Sequence, residues 1–241
     1  QGSDDDASFE NTGSTKAASA IAIAAAINKA STQTGVTATA APNEIVGTDA
    51  DFSLSSTTAA QLAAADLFVN GKTIALDSLG TLGRTATRTD VADLINTYSG
   101  QTGVTATDNG RGLTLVAADG RNISLATSLA PADGKLGINA ANMSSTAITA
   151  ATADTTYARV TLQSDKSFTL EGGSDGNANF EKLGFKTGTY GGVDNGVKVA
   201  NIDISTQAGA QVALTALDSA LKTVSMNQAK LGAFQNRLDA V

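Results

Sequence analysis

A thirteen-residue stretch of this chain occurs twice, and a unit used twice restricts the fold more than any single motif does. Ile27-Asn28-Lys29-Ala30-Ser31-Thr32-Gln33-Thr34-Gly35-Val36-Thr37-Ala38-Thr39 returns without a gap as Ile95-Asn96-Thr97-Tyr98-Ser99-Gly100-Gln101-Thr102-Gly103-Val104-Thr105-Ala106-Thr107. From Gln33 and Gln101 onward the copies are identical. A general bias toward small residues would not hold Asn, Ser, Gln, Gly and Val in register. The chain therefore contains two copies of one supersecondary unit.

The second copy shows the unit best. Val91, Leu94, Ile95 and Tyr98 recur at helical spacing and predict one apolar helix face. Thr87 or Thr89 can cap that helix, with Asp90 and Asp93 near its positive N-terminal end. Gly100 and Gly103 are expected to break it, and Val104-Thr105-Ala106-Thr107 to begin a strand. In the first copy the apolar stretch Ala17 to Ala30 reads as a helix whose matching face is Ile23, Ala26, Ile27 and Ala30.

Turn residues predict hairpins on either side of the second helix. Asn70-Gly71 joins Leu67-Phe68-Val69 to Lys72-Thr73-Ile74-Ala75-Leu76, and Asn-Gly supplies the positive φ angles of a type I′ turn. Asp119-Gly120 is expected to act likewise between Leu113-Thr114-Leu115-Val116 and Ile123-Ser124-Leu125. The unit thus reads hairpin, helix, strand, hairpin, from about Asp66 to Leu125. The first copy has no such hairpin ahead of its helix, so the chain reads as starting inside a longer protein. A further hairpin is expected where Ser164-Asp165-Lys166 separates Arg159-Val160-Thr161-Leu162 from Ser167-Phe168-Thr169-Leu170. Glycine-rich segments follow. Asp175, Asn177 and Asn179 alternate faintly like a calcium loop, but Phe180 stands where that loop needs Gly, so turn residues account for them better.

The texture changes after Ile202-Asp203-Ile204. From about Thr206 onward Leu214, Leu217, Leu221, Val224, Gln228, Leu231, Gln235 and Leu238 alternate in steps of three and four. Leu217, Val224, Leu231 and Leu238 are spaced by seven, which is a heptad seam. A lone helix with one apolar stripe is marginal in water and needs a partner. Nothing upstream carries a second heptad pattern, so the partner is expected outside this sequence.

Composition removes whole classes of function. The formal net charge of −7 opposes nucleic-acid binding, which needs clustered Lys and Arg. The chain has no cysteine and no histidine, which excludes disulfides, thiolate or His-based metal sites, and nucleophile–His catalysis. No run approaches eighteen apolar residues, so no membrane-spanning helix is expected. Neither a cofactor nor a metal is implied, and the chain reads as a non-enzyme.

Three blocks near the end carry a family resemblance: Ile204-Ser205-Thr206-Gln207-Ala208-Gly209-Ala210-Gln211, Leu217-Asp218-Ser219-Ala220-Leu221, and Leu231-Gly232-Ala233-Phe234-Gln235-Asn236-Arg237-Leu238. Together they resemble the start of the bacterial flagellin C-terminal core region, and the two TGVTAT units look like repeats of flagellin variable regions. One departure is Gln228, where flagellins commonly carry Arg.

The resemblance implies an α+β protein with hairpin-rich outer domains and short packed helices, followed by a long coiled-coil-type helix. Residues 1–125 would hold two repeat units, near 16–54 and 66–125. Residues 126–200 would form a β-rich outer segment, and 201–241 the start of the C-terminal core helix. It implies an extracellular filament subunit that acts in motility by assembly and force transmission. Other flagellin subunits, an export chaperone, a cap protein and an innate immune receptor would be its partners. On the helix, Leu217, Leu221, Val224, Leu231 and Leu238 would bury against N-terminal core helices. Gly232 and Ala233 would admit a close backbone, and Gln235, Asn236 and Arg237 would supply polar contacts. A chain without cysteine suits export through a reducing cytosol.

Two other readings compete. A hook–filament junction protein shares flagellin-like termini, but the QNR block favours flagellin. A secreted adhesin or carbohydrate-binding module would use Thr-rich strands and Asn-Gly turns, yet has no need of a terminal heptad helix. The metalloprotease inserted in some flagellins requires His, which is absent.

Overall fold

The computed structural model describes residues 2–10, 14–55, 57–129, 135–144, 153–164, 166–173 and 185–190, then residues 213, 214, 217, 220, 221, 224, 225, 227–232, 235 and 236. Gln1–Ser31 with Thr37–Leu162 form one compact unit, and Thr32–Val36 with Gln163–Val241 a second. The chain begins with α1 (Ala20–Lys29), α2 (Ser31–Thr34), β1 (Val36–Ala40), β2 (Asn43–Val46) and β3 (Phe52–Ser53). Then come α3 (Ala59–Ala63), β4 (Asp66–Val69), β5 (Lys72–Ala75) and α4 (Asp77–Gly80). The second repeat supplies α5 (Arg88–Thr97), α6 (Ser99–Thr102), β6 (Thr105–Asp108), β7 (Leu113–Ala117) and β8 (Ile123–Thr127). Short strands follow: β9 (Lys135–Leu136), β10 (Asp154–Thr156), β11 (Val160–Ser164), β12 (Phe168–Leu170) and β13 (Gly188–Tyr190). Helices and antiparallel sheets are thus intermixed, an α+β architecture.

Two sheets organise the first unit, one in the order β2-β7-β6 and one in the order β10-β8-β4-β5. β7 alternates, so Leu113, Leu115 and Ala117 point inward. There they meet Leu67, Val69 and Ile74, together with Val91 and Ile95 of α5. Each such side chain, once fully buried, contributes about 1.5–3 kcal/mol of apolar transfer. β8 is buried on both faces. Its second face packs Ala126 with Phe68 and Ala153, and Phe9 meets Phe68 edge-on at 5.6 Å between ring centres.

The two copies of the repeat have matching elements. α1 and α5 are each ten residues long, and α2 and α6 are each four. A left-handed glycine then ends the helical part, Gly35 at φ 68° and Gly103 at φ 69°. Each long helix is capped by a hydroxyl, Ser19 accepting from Ala22 N and Thr87 from Asp90 N. An asparagine then ties helix to strand. Asn28 Nδ2 donates to Ala38 O (2.8 Å), and its Oδ1 accepts from Ala38 N (2.7 Å). Asn96 does the same to Ala106, at 2.8 Å in both directions. The identical residues between Asn and Ala set the turn that brings them together.

Where the copies differ, the packing around them differs. In α5, Val91 and Ile95 are fully buried, with Leu94 and Tyr98 packed against the core. In α1 the expected face is only partly covered. Ile23, Ile27 and Ala30 are half-buried and Ala26 is exposed, while Ala20, Ala22 and Ala24 are the buried positions. Two short turns, Gly2–Asp4 and Lys16–Ala18, pack on α1 where no hairpin stands. Small alanines suit that close approach.

Three local expectations are corrected. Asp119-Gly120 does not close a hairpin, because β7 pairs with β2 and β6 whereas β8 pairs with β4 and β10. Only Gly120 of that dipeptide has positive φ, and the segment carries the chain from one sheet to the other. Strands 160–164 and 168–170 do not pair either. β11 pairs with β1, and β12 pairs with β13, where the rings of Phe168 and Tyr190 lie 6.0 Å apart. Gly100 lies inside α6, so Gly103 alone ends the helical part. By contrast, Asn70 (φ 45°) and Gly71 (φ 87°) form the expected turn between Val69 and Lys72. Loop 109–112 makes a hairpin unmarked in the sequence reading, with Asp108 opposite Leu113. The Asn109 carboxamide closes it by accepting from Gly112 N at 2.7 Å.

The N-terminus of α5 has an acid-sensitive cap. Asp90 accepts from Thr87 N (2.7 Å) and takes both ends of the Arg84 guanidinium (2.6 and 2.8 Å). The Arg84 contact, followed by the Thr87 amide, holds the Asp90 carboxyl far below the usual carboxylate range. A depressed folded-state value favours folding fully above the ordinary aspartate value of about 4, and the advantage is lost progressively as pH falls from there through the folded-state value. Asp90→Asn should therefore lower the urea midpoint at pH 6, with the gap from the unsubstituted chain beginning to narrow at pH 3. An undiminished gap at pH 3 would deny the carboxylate this role.

Candidate assembly surface

The candidate functional residues lie in the C-terminal stretch. Every described residue between 213 and 236 is helical, as the seam spacing predicts. No proline interrupts that stretch, and Gly232 is its only glycine. Ala213, at its start, is buried. Beyond it the described apolar residues of the stripe are open to water. Leu214 is 69% exposed, Leu217 45%, Leu221 67%, Val224 53% and Leu231 60%. The polar seam positions Gln228 and Gln235 are exposed too, as is Asn236. Gly232 is half-buried, and an added Cβ there would meet nothing within 4 Å.

The structure therefore brings Leu217, Leu221, Val224, Leu231, Gly232, Gln235 and Asn236 onto helical backbone. Ala233, Phe234, Arg237 and Leu238 lie outside the described residues, as do Ile202-Asp203-Ile204 and the calcium-like segment ending at Phe180. A long coiled coil is not seen among the described residues. What is seen is helical backbone at the described positions, with large apolar side chains in water. A row of this kind, rather than scattered exposed leucines, marks an interaction surface.

The rest of the described surface offers less. A shallow pocket of about 340 Å³ lies between Leu54, Leu62, Leu79 and Ala86, with Arg84 at its rim already engaged by Asp90. No group of three acidic, histidine or cysteine side chains converges among the described residues. None of the described helices is long and apolar enough to cross a membrane. The residues that sequence reasoning missed are Asn28 and Asn96. Their signal was present, since both copies hold Asn in register ten positions ahead of the same Ala.

Comparison with known proteins places this arrangement in a class. The chain is 32% identical over 185 residues to a B-type flagellin of Pseudomonas aeruginosa, an alignment covering 68% of this chain and 35% of the relative. It is 44% identical over 69 residues to a flagellin B of Vibrio cholerae, and 51% identical over 43 residues to a polar flagellin A of Vibrio parahaemolyticus. Those shorter matches cover 29% and 18% of this chain, and 15% and 11% of the relatives. No protein-family profile matches the chain. The similarities make the chain a homologue of flagellins, and it belongs to the bacterial flagellin family. The aligned region spans about a third of the length of the Pseudomonas relative.

Proposed function

We propose that this chain is a structural subunit of the bacterial flagellar filament, acting extracellularly in motility by assembly and without a chemical step. The observation that carries the reading is the helical stripe of Leu217, Leu221, Val224 and Leu231 left exposed. Residues 1–125 and 126–200 form the outer, solvent-facing part, and 201–241 open the C-terminal core helix. That helix pairs in a coiled coil with N-terminal core helices of the same family. Gly232 and Ala233 allow close backbone approach there. Gln235, Asn236 and Arg237 supply polar contacts, Arg237 as a clamp for a carboxylate. Other copies of the subunit are its partners, with an export chaperone and a cap protein during secretion and growth, and an innate immune receptor reading part of the core.

The test is replacement. A B-type flagellin whose corresponding region is exchanged for this chain should form filaments visible by electron microscopy and restore swimming. The same chimera with Leu217→Gln and Leu221→Gln should be exported but fail to polymerise. Filaments of normal length and stability from that double variant would defeat the assignment of the seam.

A further inference from the structure

We propose that Asn28 and Asn96 are edge caps, whose side-chain amides take the place of a neighbouring strand and keep a second copy of this chain from adding to β1 and β6. β6 ends the sheet β2-β7-β6, and β1 has β11 as its strand neighbour. In an antiparallel pair, alternate residues point their N–H and C=O away from the partner strand. Ala106 stands opposite Leu115 of β7, and its own N–H and C=O both go to Asn96. Ala38 gives the same two groups to Asn28.

A carboxamide presents one donor and one acceptor side by side, as the peptide backbone of an incoming strand does. It therefore satisfies the outward pair and removes the template in one step. The position fits a cap. Ala38 and Ala106 are buried, while Asn28 is exposed and Asn96 half-exposed, so the amide lies between strand backbone and water. On either side stand exposed threonines, Thr37 and Thr39 or Thr105 and Thr107, residues that favour extended structure. Without the amide the outward N–H and C=O of Ala106, beside the packed helix α5, or of Ala38 lose their partner, and an unsatisfied edge pair is a template for strand addition.

The experiment uses the full chain with Asn96→Ala and, separately, Asn28→Ala. Backbone hydrogen exchange at Ala106 or Ala38 is followed with sedimentation, at low and high protein concentration. At low concentration exchange should quicken about tenfold, the worth of a net hydrogen bond. At high concentration protection should return, together with dimers beyond any the unsubstituted chain forms. Adding Thr107→Lys to Asn96→Ala should abolish those dimers while leaving exchange fast, because charge on an edge opposes strand addition. Fast exchange at every concentration, with association unchanged from the parent chain, would overturn the proposal and leave the amides as ties between helix and strand. Should Asn96→Ala fail to fold, the more exposed Asn28→Ala decides.

Discussion

An alanine at position 47 is expected to lower the stability of the first unit by about 3 kcal/mol or more, at or above the upper end of ordinary overpacking. Gly47, Gly112 and Gly137 bring three chain segments together backbone against backbone. Gly47 N donates to Leu113 O (2.8 Å), Leu113 N to Gly137 O (2.7 Å), and Gly137 N to Asp51 O (2.7 Å). A Cβ on Gly47 would overlap the Gly137 carbonyl oxygen and stand 3.0 Å from its carbon. That oxygen cannot retreat without releasing Leu113 N, which belongs to a fully buried residue. An orphaned buried amide adds its own penalty of about 1–3 kcal/mol. Gly100→Ala is the control. Gly100 lies in α6 with nothing within 4 Å of an added Cβ, so alanine should raise stability slightly, by about 0.5–1 kcal/mol. Urea midpoints of the two variants should move in opposite directions. A loss below about 1 kcal/mol for Gly47→Ala would mean that the crossing relaxes easily.

That crossing also shows which parts of the fold a sequence can carry. Asn70-Gly71 was legible because its two positive φ angles are a property of the dipeptide and its strands are neighbours in the chain. Asp119-Gly120 carries a similar signal, yet β7 and β8 belong to different sheets. The turn chemistry reports a bend without naming the strand beyond it. β2 pairs with β7, and β10 with β8, across long stretches of chain. Alternation marks which face of such strands is buried but not which neighbour covers it. The face of α5 followed from spacing because the core lies directly under Val91 and Ile95. The face of α1 did not, since what packs on it is a pair of short turns from the chain's own start. The asparagine ties were in plain view as repeated letters. Their meaning needed the helix to fold back so that residue 96 reached residue 106. The seam was legible as a period of seven, and the structure adds that its described leucines stand in water.

Those leucines set the second large effect. Adding the N-terminal core segment of a related flagellin should slow amide exchange across residues 220–236 by about a hundredfold or more. Leu214, Leu217, Leu221, Val224 and Leu231 are between 45% and 69% exposed, so each retains roughly half of its transfer energy to be gained. At about 1.5–3 kcal/mol for full burial, the five together offer roughly 4–7 kcal/mol. Lost freedom on association and the ordering of side chains take part of this, and about 3 kcal/mol net corresponds to the hundredfold change. Leu217→Gln with Leu221→Gln should remove most of the gain, while exchange in β8 of the same sample stays as it was. In the isolated monomer the segment should exchange faster toward residue 236 than near Ala213, which is already buried. If that monomer protects residues 227–232 as strongly as β8, the helix is satisfied within this chain. The filament role proposed for the seam would then lose its physical basis.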